Sequence, residues 1–339
     1  MNRNLFSRRT LIATSALVAA TALLTGCAGE GSGAAEATTL NIDFATYNPL
    51  SLVLKEKGWL EASLKEQGVT VNWVQSAGSN KANEALRAGA IDVGSTAGSA
   101  ALLARSNGSP IKTIDIYSQP EWAALVVAKD SPIKDVSELK GKSVAATKGT
   151  DPYFFLLQAL EQAGLGPDDV TVENLQHADG RAALENGSVD AWSGLDPIMA
   201  GAEENGASLI YRNLDFNTYG ALNANESFLA ESPEIAQVVV DSYEKAREWA
   251  AKNQKETATI LADVAGLEAP VADKVILERS NLDVSAVPGQ KLVDVLTVVG
   301  PIFVETGDVT SQAKVDTALD SLIDDSFAKK ADASKVKGS

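Results

Sequence analysis

The chain has very few residues of the types on which many structural and catalytic sites depend. Its 339 residues include one Cys, Cys27, one His, His177, and two Met. A disulfide needs two cysteines and a structural zinc site usually needs about four Cys or His ligands, so one copy of this chain can build neither. A catalytic triad based on histidine would have to use His177. The composition therefore excludes disulfide-stabilised and zinc-stabilised folds.

Basic residues are also scarce relative to acidic ones. The chain has 29 Lys and Arg against 45 Asp and Glu, which gives a formal net charge of −16. Nucleic-acid binding depends on a surplus of Lys and Arg on one face, and no run of them occurs, so we expect no nucleic-acid partner. Hydrophobic residues make up 45% of the chain. This is a globular composition, long enough for one large domain or two medium ones.

The first 26 residues have the pattern of an export signal. Three Arg residues precede the apolar residues 11–24, and no acidic residue occurs before Glu30. The apolar stretch is shorter than the roughly 20 residues that a membrane-spanning helix needs. We therefore predict a signal peptide over residues 1–26, which is not part of the fold. Its removal deletes basic residues and no acidic one, so the exported chain is more acidic still.

The signal ends in a sequence that resembles the bacterial lipobox, Leu24-Thr25-Gly26-Cys27. The resemblance implies cleavage before Cys27, diacylation of its thiol and, over residues 27–38, a flexible tether rich in Gly, Ala and Ser. The alternative is an ordinary signal peptide with an incidental Cys. We expect an exported protein anchored to the outer face of the cell membrane. Residues 7–11 resemble a twin-arginine motif, which leaves the choice between Sec and Tat export open.

From residue 39 onward, short strand patterns alternate with helix patterns. Strands are predicted over 40–44, 69–74 and 90–93, and Gly and Ser occupy turns that follow, among them 76–79 and 94–99. A second unit of the same kind runs from about residue 123 to 205, and residues 233 to about 327 are mostly amphipathic helix. The pattern predicts an α/β fold with mainly parallel sheets and a helical C-terminal region.

The Gly- and Ser-containing turns favour a binding site. Turns after parallel strands meet at one crevice and carry helix N-termini, whose free N–H groups suit an anionic or polar ligand. Taken alone, the same turns are more typical of tight turns with helix caps.

Four segments resemble the periplasmic binding proteins of ABC importers for aliphatic sulfonates and taurine, which belong to a wider clan with binders of nitrate and thiamine precursors. The likeness extends from about residue 39 to 320. The segments are ALRAGAIDVGSTAG (85–98), SPIKDVSELKGKSVAATKGT (131–150), YFFLLQALEQAGL (153–165) and GSVDAWSGLDP (187–197).

The resemblance implies a two-lobed, type II periplasmic binding protein fold that closes on a small-molecule ligand and presents it to a membrane permease. Lobe I would take residues 39–118 and 218–330, lobe II residues 119–217, and residues 331–339 would form a disordered tail. The hinge would cross near Ser118 and Asn217. The resemblance also implies a monomer without cofactor or metal, with the subunits of an ABC permease as partners.

The ligand-binding residues implied by the resemblance lie in turns of both lobes. In the family, backbone N–H groups and hydroxyls hold the sulfonate. The matching or bordering positions are Tyr47, Asn48, Ala77, Gly78, Thr96, Ala97, Gly98, Ser99, Gly149, Thr150, Asp151, Tyr153, Trp192 and Asp196. Trp192 and Tyr153 could instead be core residues. Asp196 before Pro197 could instead cap a helix.

Asp151 departs from the family pattern, which often has Ser or another small neutral residue there. Asp151-Pro152 looks like a helix N-cap followed by the first helical position. A bound anion would meet the carboxylate at a cost of about 1 kcal/mol or more. Either the sulfonate lies on the lobe I turns, with Asp151 facing away or pairing with an ammonium as in taurine, or the ligand is neutral or cationic, such as a thiamine-precursor pyrimidine.

We expect no catalysis. The sequence has no Ser/Cys/His constellation, metal-ligand cluster or GxxxxGK[ST] phosphate loop. The alternative of another class is an exported enzyme that uses the carboxylates of Asp151 and Asp196 for acid–base work. His177 is expected in a solvated loop or helix cap at the rim of the cleft.

The lipobox resemblance predicts that Cys27 carries the membrane anchor. The wild-type protein is expected in the membrane fraction with a mass raised by lipid, and the Cys27→Ala protein in the soluble extracytoplasmic fraction. Intact-mass spectrometry and membrane fractionation measure the two properties. A Cys27→Ala protein that stays membrane-bound would contradict the anchor.

Overall fold

The computed structural model describes residues 39–338. The predicted signal peptide and the lipidation site at Cys27 lie outside these residues. Within the described range, ten strands form two five-stranded sheets flanked by helices, which confirms the predicted two-lobed α/β fold. The strands are β1 (Thr39–Phe44), β2 (Thr70–Gln75), β3 (Val93–Ala97), β4 (Ile111–Ser118), β5 (Ala123–Val127), β6 (Ser143–Ala146), β7 (Thr171–Asn174), β8 (Ala191–Leu195), β9 (Ser208–Arg212) and β10 (Gly220–Asn225).

Both sheets have the same strand plan. The first has the order β2-β1-β3-β10-β4 and the second the order β7-β6-β8-β5-β9. In each sheet the fourth strand, β10 or β5, is antiparallel to its neighbours, and the other four strands run in one direction. That strand is the first one after the chain crosses from the other sheet. The two crossovers are residues 119–122 and 213–219, and we call the parts on either side the first and second lobes.

The helices of the described range cover both sheets, and those after residue 225 confirm the predicted helical C-terminal region. None of these helices is long and apolar enough to cross a membrane. The helices are α1 (Pro49–Lys57), α2 (Trp59–Leu64), α3 (Ser79–Arg87), α4 (Gly98–Ser106), α5 (Asp151–Gln162), α6 (His177–Glu185), α7 (Ile198–Glu204), α8 (Glu226–Glu231), α9 (Pro233–Lys252), α10 (Gln254–Ala265), α11 (Ala269–Lys274), α12 (Gln290–Glu305) and α13 (Gln312–Leu322).

Residues 94–97 form a strand where the Gly and Ser pattern predicts a turn. β3 lies inside the first sheet between β1 and β10, and all five of its residues are buried. Its backbone groups are satisfied by pairing with β10 on one edge and, on the other, by β1 and the side chains of Asp43 and Ser79. These bonds outweigh the turn preference of Gly and Ser. The predicted turn is therefore wrong over most of its length, and α4 begins at Gly98, directly after the strand.

The two lobes are packed against each other along α5. Phe154 in this helix is fully buried, and its ring centroid lies 4.7 Å from that of the buried Phe303 in α12. One hydrophobic core therefore continues from the first lobe into the second. A smaller apolar cluster, which includes Val126 and Met199, belongs to the second lobe alone.

The C-terminal residues pack against the first lobe, where the sequence predicts a disordered tail over residues 331–339. Val336 is only 8% exposed, and the Lys337 backbone N–H donates to the Ser63 hydroxyl at 2.9 Å. The prediction is wrong for residues 331–338. The Lys-rich composition is typical of disordered chain, but one apolar side chain and a few backbone hydrogen bonds are enough to dock the segment.

Deletion of residues 331–339 is expected to lower the free energy of unfolding by about 1–3 kcal/mol, because the burial of one Val side chain contributes about that much. Val336→Ala is expected to lower it by about 1 kcal/mol or more. Urea denaturation measures both changes, and Lys330→Ala, at an exposed position just before the segment, serves as the control. Equal unfolding midpoints for the deletion and the wild type would contradict the packing.

Candidate functional site

The turns that follow the parallel strands of the two lobes face each other. β2 and β3 lead into α3 and α4 in the first lobe, and β6 and β7 lead into α5 and α6 in the second. A Cβ placed on Gly78 would lie 3.0 Å from His177 Nε2, and one on Gly149 would lie 3.9 Å from Asn80 Cβ. We call the region between these two sets of turns the cleft. In this arrangement the cleft is closed.

Asp151 joins the two lobes through one fully hydrogen-bonded carboxylate. It is the first residue of α5 and is 1% exposed. Its Oδ1 accepts from Ser99 Oγ and Thr218 Oγ1, both at 2.5 Å. Its Oδ2 accepts from the Thr218 backbone N at 2.8 Å and from Trp122 Nε1 at 2.9 Å. All four acceptor positions of the carboxylate are therefore used. We call Ser99, Trp122 and Thr218 the donor set.

All members of the donor set are uncharged, which governs the ionisation of Asp151. Burial raises the pKa of the Asp151 carboxyl above its ordinary value, and the hydrogen bonds from Ser99, Thr218 and Trp122 oppose the rise. Hydrogen bonds to a charged group contribute about 1.5–3 kcal/mol each, which is why four of them can hold a buried carboxylate.

Asp151 does not cap its own helix, although the Asp-Pro pattern of the sequence predicts that it does. Thr150 is the N-cap residue of α5, because its carbonyl oxygen already accepts from the backbone N–H groups of Tyr153 and Phe154. The helix therefore begins one residue earlier than the Asp-Pro pattern indicates. The Asp151 side chain is left free to reach the first lobe.

Three backbone N–H groups that the sequence assigns to ligand binding are bonded within the protein. Ala97 N donates to Ser79 Oγ at 2.9 Å, Gly98 N to the Thr218 carbonyl oxygen at 3.0 Å, and Ser99 N to Thr218 Oγ1 at 2.8 Å. A Cβ on Gly98 would lie 2.4 Å from that carbonyl oxygen, so only glycine lets the second crossover approach this closely. The crossover thus fills the place predicted for an anion.

Three more of the predicted residues have hydroxyl groups that bond within the protein. The Tyr47 hydroxyl donates to the Ser95 carbonyl oxygen at 3.0 Å, and its ring meets Trp122 edge-on with centroids 6.2 Å apart. Thr96 Oγ1 accepts from Asn223 Nδ2 at 2.8 Å. Thr150, across the cleft, donates its hydroxyl to the Thr147 carbonyl oxygen at 2.6 Å. The first two bonds hold β3 in place, and the third stabilises the turn before α5.

Other predicted residues have local structural roles. Asn48 caps α1 by accepting from Ser51 N at 3.3 Å, and Ala77 is exposed. Tyr153 is buried, and burial and the charge of Asp308 raise the pKa of its phenol to about 12. The structure does not bring these side chains to the donor set.

Trp192 does not line the cleft, although the resemblance implies that it borders the ligand. It is fully buried in the small apolar cluster of the second lobe. A Cβ on Gly180 in α6 would lie 2.8 Å from Trp192 Nε1. The residue belongs to β8, which runs from Ala191 to Leu195. The alternative interpretation as a core residue describes its position.

Asp196 forms a buried ion pair with Arg279. The Asp196 Oδ2 and Arg279 guanidinium are 3.3 Å apart, and the guanidinium also binds Glu203 at 2.6 Å. Asp196 Oδ1 accepts from Ala200 N at 2.9 Å, so it also caps α7. Burial raises the pKa of Asp196 to about 6, against the opposing effect of Arg279. Arg279 lies in a π-helical turn after α11, so this pair ties the C-terminal region to the second lobe.

The space beside this pair is small. A cavity lined in part by Tyr47, Trp122, Asp196 and Arg279 has a volume of about 10 Å³. This is about the least volume that holds one water molecule. A solute of several heavy atoms can enter there only when the lobes move apart.

His177 is buried, whereas the sequence predicts a solvated position. It is 1% exposed, and its Nδ1 lies 3.1 Å from Thr147 Oγ1. That hydroxyl donates to the Leu175 carbonyl oxygen at 2.7 Å, so it accepts from His177 Nδ1–H, and Nε2 is left as an acceptor. Nε2 and Asn80 Oδ1 are buried without a hydrogen-bond partner, and both point at Gly78.

Sequence reasoning missed two functional residues, Thr218 and Arg279. Thr218 follows the predicted hinge position Asn217 by one residue, and this closeness to the hinge is the signal that could have found it. Trp122 could line the cleft on the sequence alone, but core burial is the default position of such a residue. Arg279 gives no such signal, because its partners Asp196 and Glu203 lie far away in the sequence.

Comparison with known proteins gives consistent similarities. Residues 49–257 match the family model described as NMT1/THI5 like. A Bacillus subtilis (strain 168) protein named as an aliphatic sulfonates-binding protein is 30% identical over 273 residues, which cover 79% of this chain and 82% of the relative.

Solved structures share the fold. The periplasmic aliphatic sulphonate binding protein from Escherichia coli has a TM-score of 0.71 and 26% identity, covering 83% of this chain and 91% of its own. The alkanesulfonate-binding protein from Xanthomonas axonopodis pv. citri bound to MOPS has a TM-score of 0.76 and 24% identity, covering 84% and 99%. A desulfurization enzyme has the fold as well, with a TM-score of 0.64 and 15% identity over 86% of this chain and 98% of its own.

The burial of His177 predicts an imidazole that stays neutral well below its usual pH range. Burial lowers its pKa from 6.5 to about 4, because the charged form would lose its hydration. His177 is the only histidine of the chain, so one imidazole signal in a proton NMR titration reports it without assignment. A midpoint near 6.5 in the folded protein would contradict the buried position.

Proposed function

The chain belongs to the NMT1/THI5-like family, and from this we propose that it is the extracytoplasmic solute-binding component of an ABC importer, with an aliphatic sulfonate as its solute. The names of the Bacillus and Escherichia relatives support the solute class. The observation that carries the proposal is the donor set, because hydroxyl, backbone and indole donors converge on one buried oxyanion between the lobes.

The donor set suits a sulfonate for the same reason that it suits a carboxylate. Ser99, Trp122 and Thr218 supply four directed hydrogen bonds to charged oxygen atoms, and a sulfonate presents three such atoms. Charge-assisted hydrogen bonds of this kind are about twice as strong as neutral ones. The solute would stabilise the closed lobes through contacts that exist only when the lobes meet.

The proposed place in the cell follows from the N-terminal sequence and the relatives. The export-signal pattern over residues 1–26 and the periplasmic relative from Escherichia coli support a position outside the cytoplasm. Lipidated Cys27 would hold the protein at the membrane, within reach of the permease to which the closed lobes deliver the solute.

A solute with N–H groups is the second candidate, and one observation favours it. His177 Nε2 and Asn80 Oδ1 are buried acceptors without a partner, one from each lobe. A neutral or cationic solute, such as an aminopyrimidine, would supply the missing donors. An acid–base enzyme gains no such support, because Asp151 and Asp196 are each bound by different partners.

Calorimetric titration of the mature protein distinguishes these candidates. Ethanesulfonate and butanesulfonate are expected to bind, and Ser99→Ala is expected to weaken binding by about tenfold, since it removes one hydrogen bond to a charged group. Ser208→Ala, at an exposed strand position, is the matched control and is expected to bind like the wild type. Binding of an aminopyrimidine without any binding of sulfonates would refute the sulfonate proposal.

A further inference from the structure

The oxyanion position in the cleft has an occupant that belongs to the protein. We infer that the carboxylate of Asp151 occupies the position of the solute's anionic group. In the absence of solute this carboxylate holds the lobes together and excludes small inorganic anions from the donor set. This inference rests on the proposed function, because it concerns the same site. It makes Asp151 the specificity-determining residue of the cleft.

Asp151 and its donors lie in different parts of the molecule. Ser99 belongs to α4 of the first lobe, and Trp122 and Thr218 belong to the two crossovers. Asp151 belongs to α5 of the second lobe. Its hydrogen bond from Ser99 Oγ at 2.5 Å joins the two lobes directly, and the other three, at 2.5–2.9 Å, join it to the crossovers. Rotation about the crossovers would separate the carboxylate from Ser99. The contact therefore favours the closed arrangement.

The solute and Asp151 compete for the same hydrogen-bond donors. Each donor of the set has one hydrogen atom, and each is already used by Asp151. A sulfonate cannot take the same hydrogen atoms without displacing the carboxylate, and two anions next to each other in a buried site repel strongly. The solute must therefore replace Asp151 at the donor set.

Anions differ in whether they can displace Asp151 from the donor set. An inorganic sulfate offers only oxygen atoms, so it exchanges one oxyanion for another and must also remain next to the displaced carboxylate. An alkanesulfonate adds the burial of its alkyl chain, which contributes about 0.8 kcal/mol for each CH₂ group. Only the alkanesulfonate therefore gains a net free energy when it displaces Asp151.

Asp151→Ser tests the competition. The variant is expected to bind ethanesulfonate at least about tenfold more tightly than the wild type, because the solute no longer displaces a hydrogen-bonded carboxylate. It is also expected to bind sulfate, whereas the wild type is expected not to bind it. Asp179→Asn, which removes an exposed carboxylate from the first turn of α6, is the matched charge control. Equal or weaker ethanesulfonate binding by Asp151→Ser would overturn the inference.

Solution X-ray scattering tests the lobe contact without relying on the solute. The radius of gyration of the wild type is expected to change little when ethanesulfonate is added, whereas Asp151→Ser without solute is expected to be larger. Asp151→Asn keeps the side-chain volume and provides a second variant if Asp151→Ser fails to fold by circular dichroism. Equal radii of wild type and folded variants would overturn the inference, even if none of them binds a sulfonate and the proposed function fails.

Discussion

A buried carboxylate has to be given hydrogen bonds at all of its acceptor positions, and the closed cleft is organised around that requirement at Asp151. The donors come from α4 and from both crossovers. Thr218 can donate twice only because its crossover lies against Gly98, where a side chain would collide with the Thr218 carbonyl oxygen. The geometry of the hinge and that of the donor set are therefore one problem.

The acidity of the chain limits how such a protein can bind an anion. With a formal net charge of −16, the whole-molecule field repels an approaching sulfonate and lowers its encounter rate. Recognition then has to come from short-range, uncharged donors in a site from which water is excluded. The donor set has this character, because a hydroxyl, a hydroxyl with its backbone amide, and an indole supply the hydrogen bonds. The same donors also allow an internal carboxylate to use the site when no solute is present.

Local patterns in the sequence predicted the parts of this arrangement but not their pairing. The alternation of strands and helices predicted the two lobes, because it reflects the period of each element. The Gly and Ser turns predicted where the two lobes face each other. The contact of Asp151 with Ser99 and Thr218 joins residues 52 and 67 positions apart in the sequence, and no local pattern carries that information. For the same reason the Asp-Pro pattern indicates a helix cap, and no local pattern indicates the buried pair of Arg279 and Asp196.

The state of the titratable groups also bears on why this fold serves binding here, although an enzyme shares it. A general acid or base needs a free acceptor or a proton within reach of the substrate. Asp151 has no free acceptor position, and Asp196 is engaged by Arg279 and by the start of α7. His177 keeps one free nitrogen, but that nitrogen faces Gly78 across a closed seam. Opening the lobes would separate the Asp151 carboxylate from Ser99 and expose both groups. The carboxylate and its donors are complementary to each other, and a solute binds by taking the place of the carboxylate. This is the chemistry of recognition and release rather than of proton transfer.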